Sequence, residues 1–281
     1  MQKIGFILTL LAAALPTSAK QRQPDKLPVY KTVANDQQLR LHIFNPEGFD
    51  VKDKRPCVVF FFGGGWVGGN PQQFYPYCIF FNSLGFVAIS AEYRVKKIHK
   101  TTPFECVADG KSAVRWIREH AQELGVDPDR IIAGGGSAGG HIAVCTGVID
   151  GHNEPGEDLR VSSKPNAMVL FNPVLDTTEK GYGLEKVGEP RKTEISPCHH
   201  IRSGIPPVIV FHGTADQTVP FENAERFARL MTEAGNDCTL EAFKERDHGF
   251  FCRGEHKMED LPIIQAKLKA VLSRWGYLTQ P

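Results

Sequence analysis

The chain contains the run Arg130-Ile131-Ile132-Ala133-Gly134-Gly135-Gly136-Ser137-Ala138-Gly139-Gly140-His141-Ile142-Ala143-Val144-Cys145. Its left half is apolar and β-branched, as a buried strand requires, and its right half can continue as a helix. Between them, Gly135-Gly136-Ser137-Ala138-Gly139 has the spacing of a nucleophile elbow, a serine on a sharp strand-to-helix turn. Small neighbours let backbone approach closely and leave the hydroxyl exposed. Ser137 is therefore the candidate nucleophile. Taken alone, the pattern fits a flexible turn about equally well. The lysine-bearing phosphate loop, G-x-x-x-x-G-K-[ST], is absent from this helix start.

Outward from the elbow, the chain alternates strands with helices. Upstream, Val29 to Val33 and Leu39 to Phe44 read as a hairpin turning at Asn35-Asp36. Cys57 to Phe62 and Phe86 to Ser90 are continuous apolar runs, the signature of strands buried on both faces. Helical periodicity covers Gln73 to Leu84 and Pro103 to Leu124, the latter with Val107, Ala113, Ile117 and Ala121 on its apolar face. Downstream, strands are expected at Ala167 to Phe171, Pro207 to Phe211 and Thr239 to Phe243, with helices at Glu222 to Ala234 and Leu261 to Trp275. This order predicts an α/β fold, a mostly parallel twisted sheet of about eight strands with helices on both faces. Segments 152–165 and 176–203 break the alternation, and each is a candidate lid or a plain surface excursion.

The 281 residues suffice for one large domain. Basic and acidic residues nearly balance, 33 against 32, which argues against a nucleic-acid partner. Residues 1–19 read as an export signal: Lys3, an apolar run from Ile4 to Leu15, then small residues suited to cleavage after Ala19. The mature chain, 20–281, is expected to be exported, periplasmic or secreted, with no membrane span. An N-terminal anchor that is retained is the other reading of the leader. Cysteine is odd in number, seven, so at least one is expected outside any intrachain disulfide. Cys57 and Cys145 lie in apolar runs and read as core thiols.

A serine nucleophile needs a base, an orienting acid and an oxyanion site, and in elbow folds the acid and base follow in that order at strand ends. Asp216 lies just past the strand ending at Phe211, and His248 just past the strand ending at Phe243. His248 would take the Ser137 proton, so activity should fall below about pH 6–7. Asp216 would hold the imidazole tautomer. Asp247 adjoins the histidine and could approach its ring only awkwardly. His212 reads as a structural hydrogen-bonding group, and His141, inside the helix, is poorly placed to reach Ser137. A metal role for His199-His200 is weakly supported. The loop Phe62-Gly63-Gly64-Gly65-Trp66 ends the first buried strand, and the amides of Gly64 and Gly65, joined by Ala138, are the expected oxyanion donors, each worth roughly 3–4 kcal/mol.

These residues resemble the α/β-hydrolase superfamily, specifically the acetyl esterase/lipase branch related to hormone-sensitive lipase. The resemblance covers nearly the whole mature chain. It rests on the Phe62–Trp66 loop, Ala91-Glu92-Tyr93-Arg94, Asp127-Pro128-Asp129-Arg130, Gly135 to His141, Asp216 and His248-Gly249-Phe250. It implies carboxylester hydrolysis through an acyl-serine, with no cofactor and no metal. Phe62 departs from the histidine usual at that position. Similar exported bacterial sequences imply a short acyl ester, carried by a small molecule or a glycan, as on acetyl xylan or feruloyl substrates. Trp66 and Tyr93 are expected either to line the pocket or to pack in the core, and Glu92 with Arg94 to form a structural pair. Two other readings remain open: an amidase or peptidase using the same triad, and a binding module that has lost its chemistry.

Overall fold

A computed structural model describes residues 22–253 and 257–278. The expected leader, 1–19, lies outside the described residues. The elements run β1 (Val29–Thr32), β2 (Gln38–Phe44), β3 (Arg55–Phe61), α1 (Tyr75–Ser83), β4 (Val87–Ala91), α2 (Lys96–His99), α3 (Pro103–Glu119) and β5 (Val126–Gly136). Then come α4 (Ala138–Val148), β6 (Ala167–Phe171), α5 (Leu184–Val187), β7 (Val208–Gly213), α6 (Phe221–Glu233), β8 (Cys238–Phe243) and α7 (Lys257–Arg274). The strands form one eight-stranded sheet in the order β1-β2-β4-β3-β5-β6-β7-β8. β1 and β2 pair antiparallel, as do β2 and β4, and every later pair is parallel.

The apolar runs become central strands because both faces of the sheet are covered. On β3, successive side chains point to opposite faces. Phe60 meets Phe74, Tyr77 and Phe81 on one side. Phe61 reaches toward Gly110 of α3 and Ile142 of α4 on the other. Helix α3 starts where its sequence says it should: Thr102 and Glu105 form a reciprocal capping box, followed by Pro103 in the first turn. It stops at Glu119, not at Leu124. His120 stacks on Trp116 at 4.0 Å, and the Val126 amide returns to the Ala121 carbonyl at 2.8 Å. Gly125, at φ 61°, reverses the chain. Ala121 and Leu124 stay buried in this turn, so the apolar pattern outlasts the helix.

The segment 152–165 lies along α3: Arg115 and Arg118 reach its backbone carbonyls at Val161 and Ser162, and Glu154 joins Lys31 and Arg94. Segment 176–203 instead carries α5 and brings Tyr182 against the elbow side of the sheet. Glu92 and Arg94 do not pair with each other, contrary to expectation. Glu92 accepts from the Arg40 amide and contacts His42, while Arg94 clamps Asp109 and Glu154. The chain leaves β4 at Ala91, so each of the two is claimed by a different neighbouring element. All seven cysteines fall within the described residues, and no disulfide joins them there. Burial pushes the Cys57 and Cys145 thiols well up, as inert core groups require.

Candidate active site

Ser137 sits at φ 55°, ψ −122°, between the last residue of β5 and the first of α4. A non-glycine residue there is strained, and the surrounding bonds hold it. Its amide donates to the Phe171 carbonyl at 2.9 Å, and its carbonyl accepts from His141 at 2.9 Å. The flanking glycines are required by close approach. A Cβ on Gly135 would lie 2.5 Å from the Gly139 backbone, and one on Gly139 only 2.0 Å from the Phe61 carbonyl oxygen. The elbow is thus wedged against β3 with no room for a side chain.

The His248 loop is anchored by the aromatics that follow it. Phe251 packs against Phe171 at 5.0 Å and Phe74 at 5.8 Å, and its carbonyl accepts from the Tyr77 hydroxyl at 2.8 Å. This places His248 Nε2 at 2.9 Å from Ser137 Oγ and Nδ1 at 2.7 Å from Asp216 Oδ2. A carboxylate only accepts, so Nδ1 carries the proton and Nε2 of the neutral ring accepts from the serine hydroxyl. Asp216 is buried. Burial opposes its ionisation, but hydrogen bonds from His212, His248 and the Val219 amide hold its carboxyl well below the usual carboxylate range. His212 is fully buried, with Nε2 at 3.1 Å from Asp216 Oδ2 and 3.0 Å from the Val219 carbonyl. Its expected structural role therefore includes bracing the acid. Asp247 turns to the Gly249 amide, 3.0 Å away. His141 Nε2 donates to the Ile195 carbonyl, and burial pushes its pKa down to about 4.

Above Ser137 lies a cavity of about 400 Å³, bordered by Gly63, Gly64, Gly65, Gln73, Asn172, Tyr182, Thr218 and Phe251 among others. It opens at the C-terminal edge of the parallel strands, where ligands bind in such sheets. Gly64 has φ 133°, and a Cβ there would strike the Gly68 carbonyl at 2.1 Å, so this loop conformation needs glycine. Gln73 Oε1 accepts from the Gly63 amide at 2.6 Å. The amides of Gly64, Gly65 and Ala138 have no acceptor among the described residues, and Ala138 is in the first turn of α4, whose amides point outward unpaired.

Trp66 and Tyr93 fall on the packing side of their two expectations. Trp66 is buried edge-to-face on His141 at 5.1 Å, and Tyr182, beside it, takes the cavity wall instead. Tyr93 stacks on Phe62 at 4.2 Å and donates to the Phe62 carbonyl at 2.7 Å. It borders a separate cavity of about 380 Å³. Phe62, which departs from the histidine usual at that position, therefore supports the glycine loop by stacking. His199 and His200 bond to Ser196 and Thr193. Sequence reasoning missed Gln73, Asn172 and Tyr182 at the cavity. For Asn172 a signal existed: it is the polar residue immediately past the apolar strand β6.

Two family models match the chain: BD-FAE over residues 41–183 and the dienelactone hydrolase family over residues 167–279. The propionate-bound esterase Est2 of Thermogutta terrifontis superposes with a TM-score of 0.86 at 44% identity, covering 91% of this chain and 96% of that one. The probable carboxylic ester hydrolase LipM of Mycobacterium tuberculosis is 28% identical over 235 residues, 74% of this chain and 54% of that protein. The acetylxylan esterase of Xylanibacter ruminicola is 24% identical over 263 residues, 89% of this chain and 51% of that protein. The chain thus spans about half the length of the curated relatives it matches in these two cases. It belongs to the α/β-hydrolase superfamily, in the esterase branch related to hormone-sensitive lipase.

Proposed function

We propose that the protein is an exported serine carboxylesterase that removes short, acetyl-type acyl groups from small or glycan-borne alcohols. One observation carries this reading: the unbroken hydrogen-bonded line Ser137–His248–Asp216, at 2.9 and 2.7 Å, beneath an open cavity. Ser137 Oγ attacks the ester carbonyl as its proton passes to His248 Nε2, and Asp216 stabilises the imidazolium. The tetrahedral oxyanion is received by the amides of Gly64, Gly65 and Ala138, helped by the positive end of α4. The C–O bond to the alcohol breaks as His248 returns the proton to that oxygen. Water, deprotonated by the same base, then releases the acid and regenerates the serine.

The short-acyl reading is supported by the wall beside Ser137, where Phe251 lines the cavity and packs so closely on Gly136 that a Cβ there would lie 2.5 Å from its ring. The propionate named in the Thermogutta structure fits the same size class. The relative named acetylxylan esterase supports a carbohydrate alcohol. Export rests on the 1–19 leader and is checked by the mature N-terminus, expected at Lys20. The substrate reading is tested with p-nitrophenyl esters of increasing length alongside acetylated xylo-oligosaccharides. Expected is a kcat/KM highest for acetate and propionate, with acetate released from the glycan. A maximum at octanoate or longer, or preferential cleavage of anilides, would overturn it.

A further inference from the structure

Asn172 is a buried polar residue in the site that the ester mechanism leaves without a role. It follows β6 directly, with a left-handed backbone at φ 34°, and its amide donates to the Phe211 carbonyl at 2.7 Å. Its side chain is buried and borders the cavity. Nδ2 lies 3.0 Å from His248 Nδ1 and 3.2 Å from Nε2, while Oδ1 is buried with no partner among the described residues. An atom that close to both ring nitrogens cannot lie in the ring plane, because the Cε1–H group occupies the space between them. It lies over the ring face. The in-plane positions are already taken, Nδ1 by Asp216 and Nε2 by Ser137.

We propose that Asn172 is a positioning residue that plates one face of the His248 imidazole and keeps the ring in the Ser137–Asp216 line through the cycle. This rests on His248 being the base. Two edge hydrogen bonds fix a ring only while both exist. When Ser137 Oγ joins the substrate, Nε2 loses its partner, and rotation about the soft Cβ–Cγ bond is opposed by Asp216 alone. An amide nitrogen held over the face obstructs that rotation during the proton transfers. A neutral amide also leaves the ring's charge state to Asp216. Left-handed backbone and an unpartnered buried oxygen both cost stability, and such strain collects where function requires it. Other groups near the ring are otherwise engaged or merely adjacent: His212 stands behind Asp216, Asp247 is held by the Gly249 amide, and Cys252 and Arg253 border the cavity.

The test uses Asn172→Gly, which suits the left-handed backbone, and Asn172→Asp, with p-nitrophenyl acetate kinetics from pH 5 to 9 and fluorophosphonate labelling. For Asn172→Gly, kcat and the labelling rate should fall roughly ten- to hundredfold, with KM within about twofold and final labelling still stoichiometric at Ser137. In Asn172→Asp, a carboxylate against the ring should move the acid limb of kcat/KM upward by about one pH unit. Folded variants that change melting temperature but keep wild-type kcat, labelling rate and acid limb would overturn the proposal. Should both variants fail to fold, a crystal structure of the unaltered enzyme decides: the amide over the imidazole supports the role, and an amide turned away from the ring overturns it. Full turnover by Ser137→Ala would instead mark failure of the underlying esterase reading.

Discussion

Asp216 accepts from the amides of Thr218 and Val219 through Oδ1 and meets His212 and His248 through Oδ2. This saturation keeps it ionised and aimed at one ring nitrogen. Asp216→Asn should therefore lower kcat by about 10⁴, because an amide lets the imidazole adopt the wrong tautomer. His212→Phe removes one brace and leaves the two amides, so its loss should be roughly tenfold or less. Equal losses in steady-state kinetics would show that the acid's own charge is not what matters. At this scale the sequence singled out Ser137, Asp216 and His248 by order and strand position, and the fold brings the three side chains into one hydrogen-bonded line. It was not legible for Gln73 or Tyr182, whose roles depend on a side-chain hydrogen bond and a loop contact between distant positions.

The elbow, as an element, exists because α4 packs against β3 without a side chain between them. Gly139→Ala would push a methyl to within 2.0 Å of the Phe61 carbonyl, part of a paired central strand that cannot move aside. Loss of soluble, active protein is expected. Gly68→Ala in the neighbouring loop meets only the Lys97 side chain at 3.7 Å, and should retain its melting temperature and activity. If both variants behave alike in thermal melts and assays, close packing does not build the elbow. Element positions were legible where burial and length agree, as for β6, expected and found at Ala167–Phe171. They were misread where burial outlasts regular structure, as at the end of α3. Glu92 and Arg94 were misread because proximity along the chain says nothing about which element claims each charge.

Across the whole molecule, buried neutral groups link stability to pH. His141 has a folded pKa pushed down to about 4 by burial, below its ordinary value near 6.5. Between those values the unfolded chain binds more protons, so this contribution is complete above about pH 6.5 and is lost as pH falls toward 4. The loss should be about 3 kcal/mol. His141→Gln, which keeps a donor for the Ile195 carbonyl, should lack that part of the slope in urea melts taken across the window. Parallel curves would rule it out. About eight strands in a mostly parallel sheet were legible from alternation, because that pattern has few topological solutions, and the elbow put the site at the strand ends; the order β2-β4-β3-β5 was not read from the sequence. The most direct measurement is mass-spectrometric mapping of a fluorophosphonate adduct, paired with turnover of p-nitrophenyl acetate. One adduct per chain on Ser137, with both adduct and turnover abolished in folded Ser137→Ala, is expected. An adduct elsewhere, or full turnover by Ser137→Ala, would contradict the assignment of Ser137 as nucleophile.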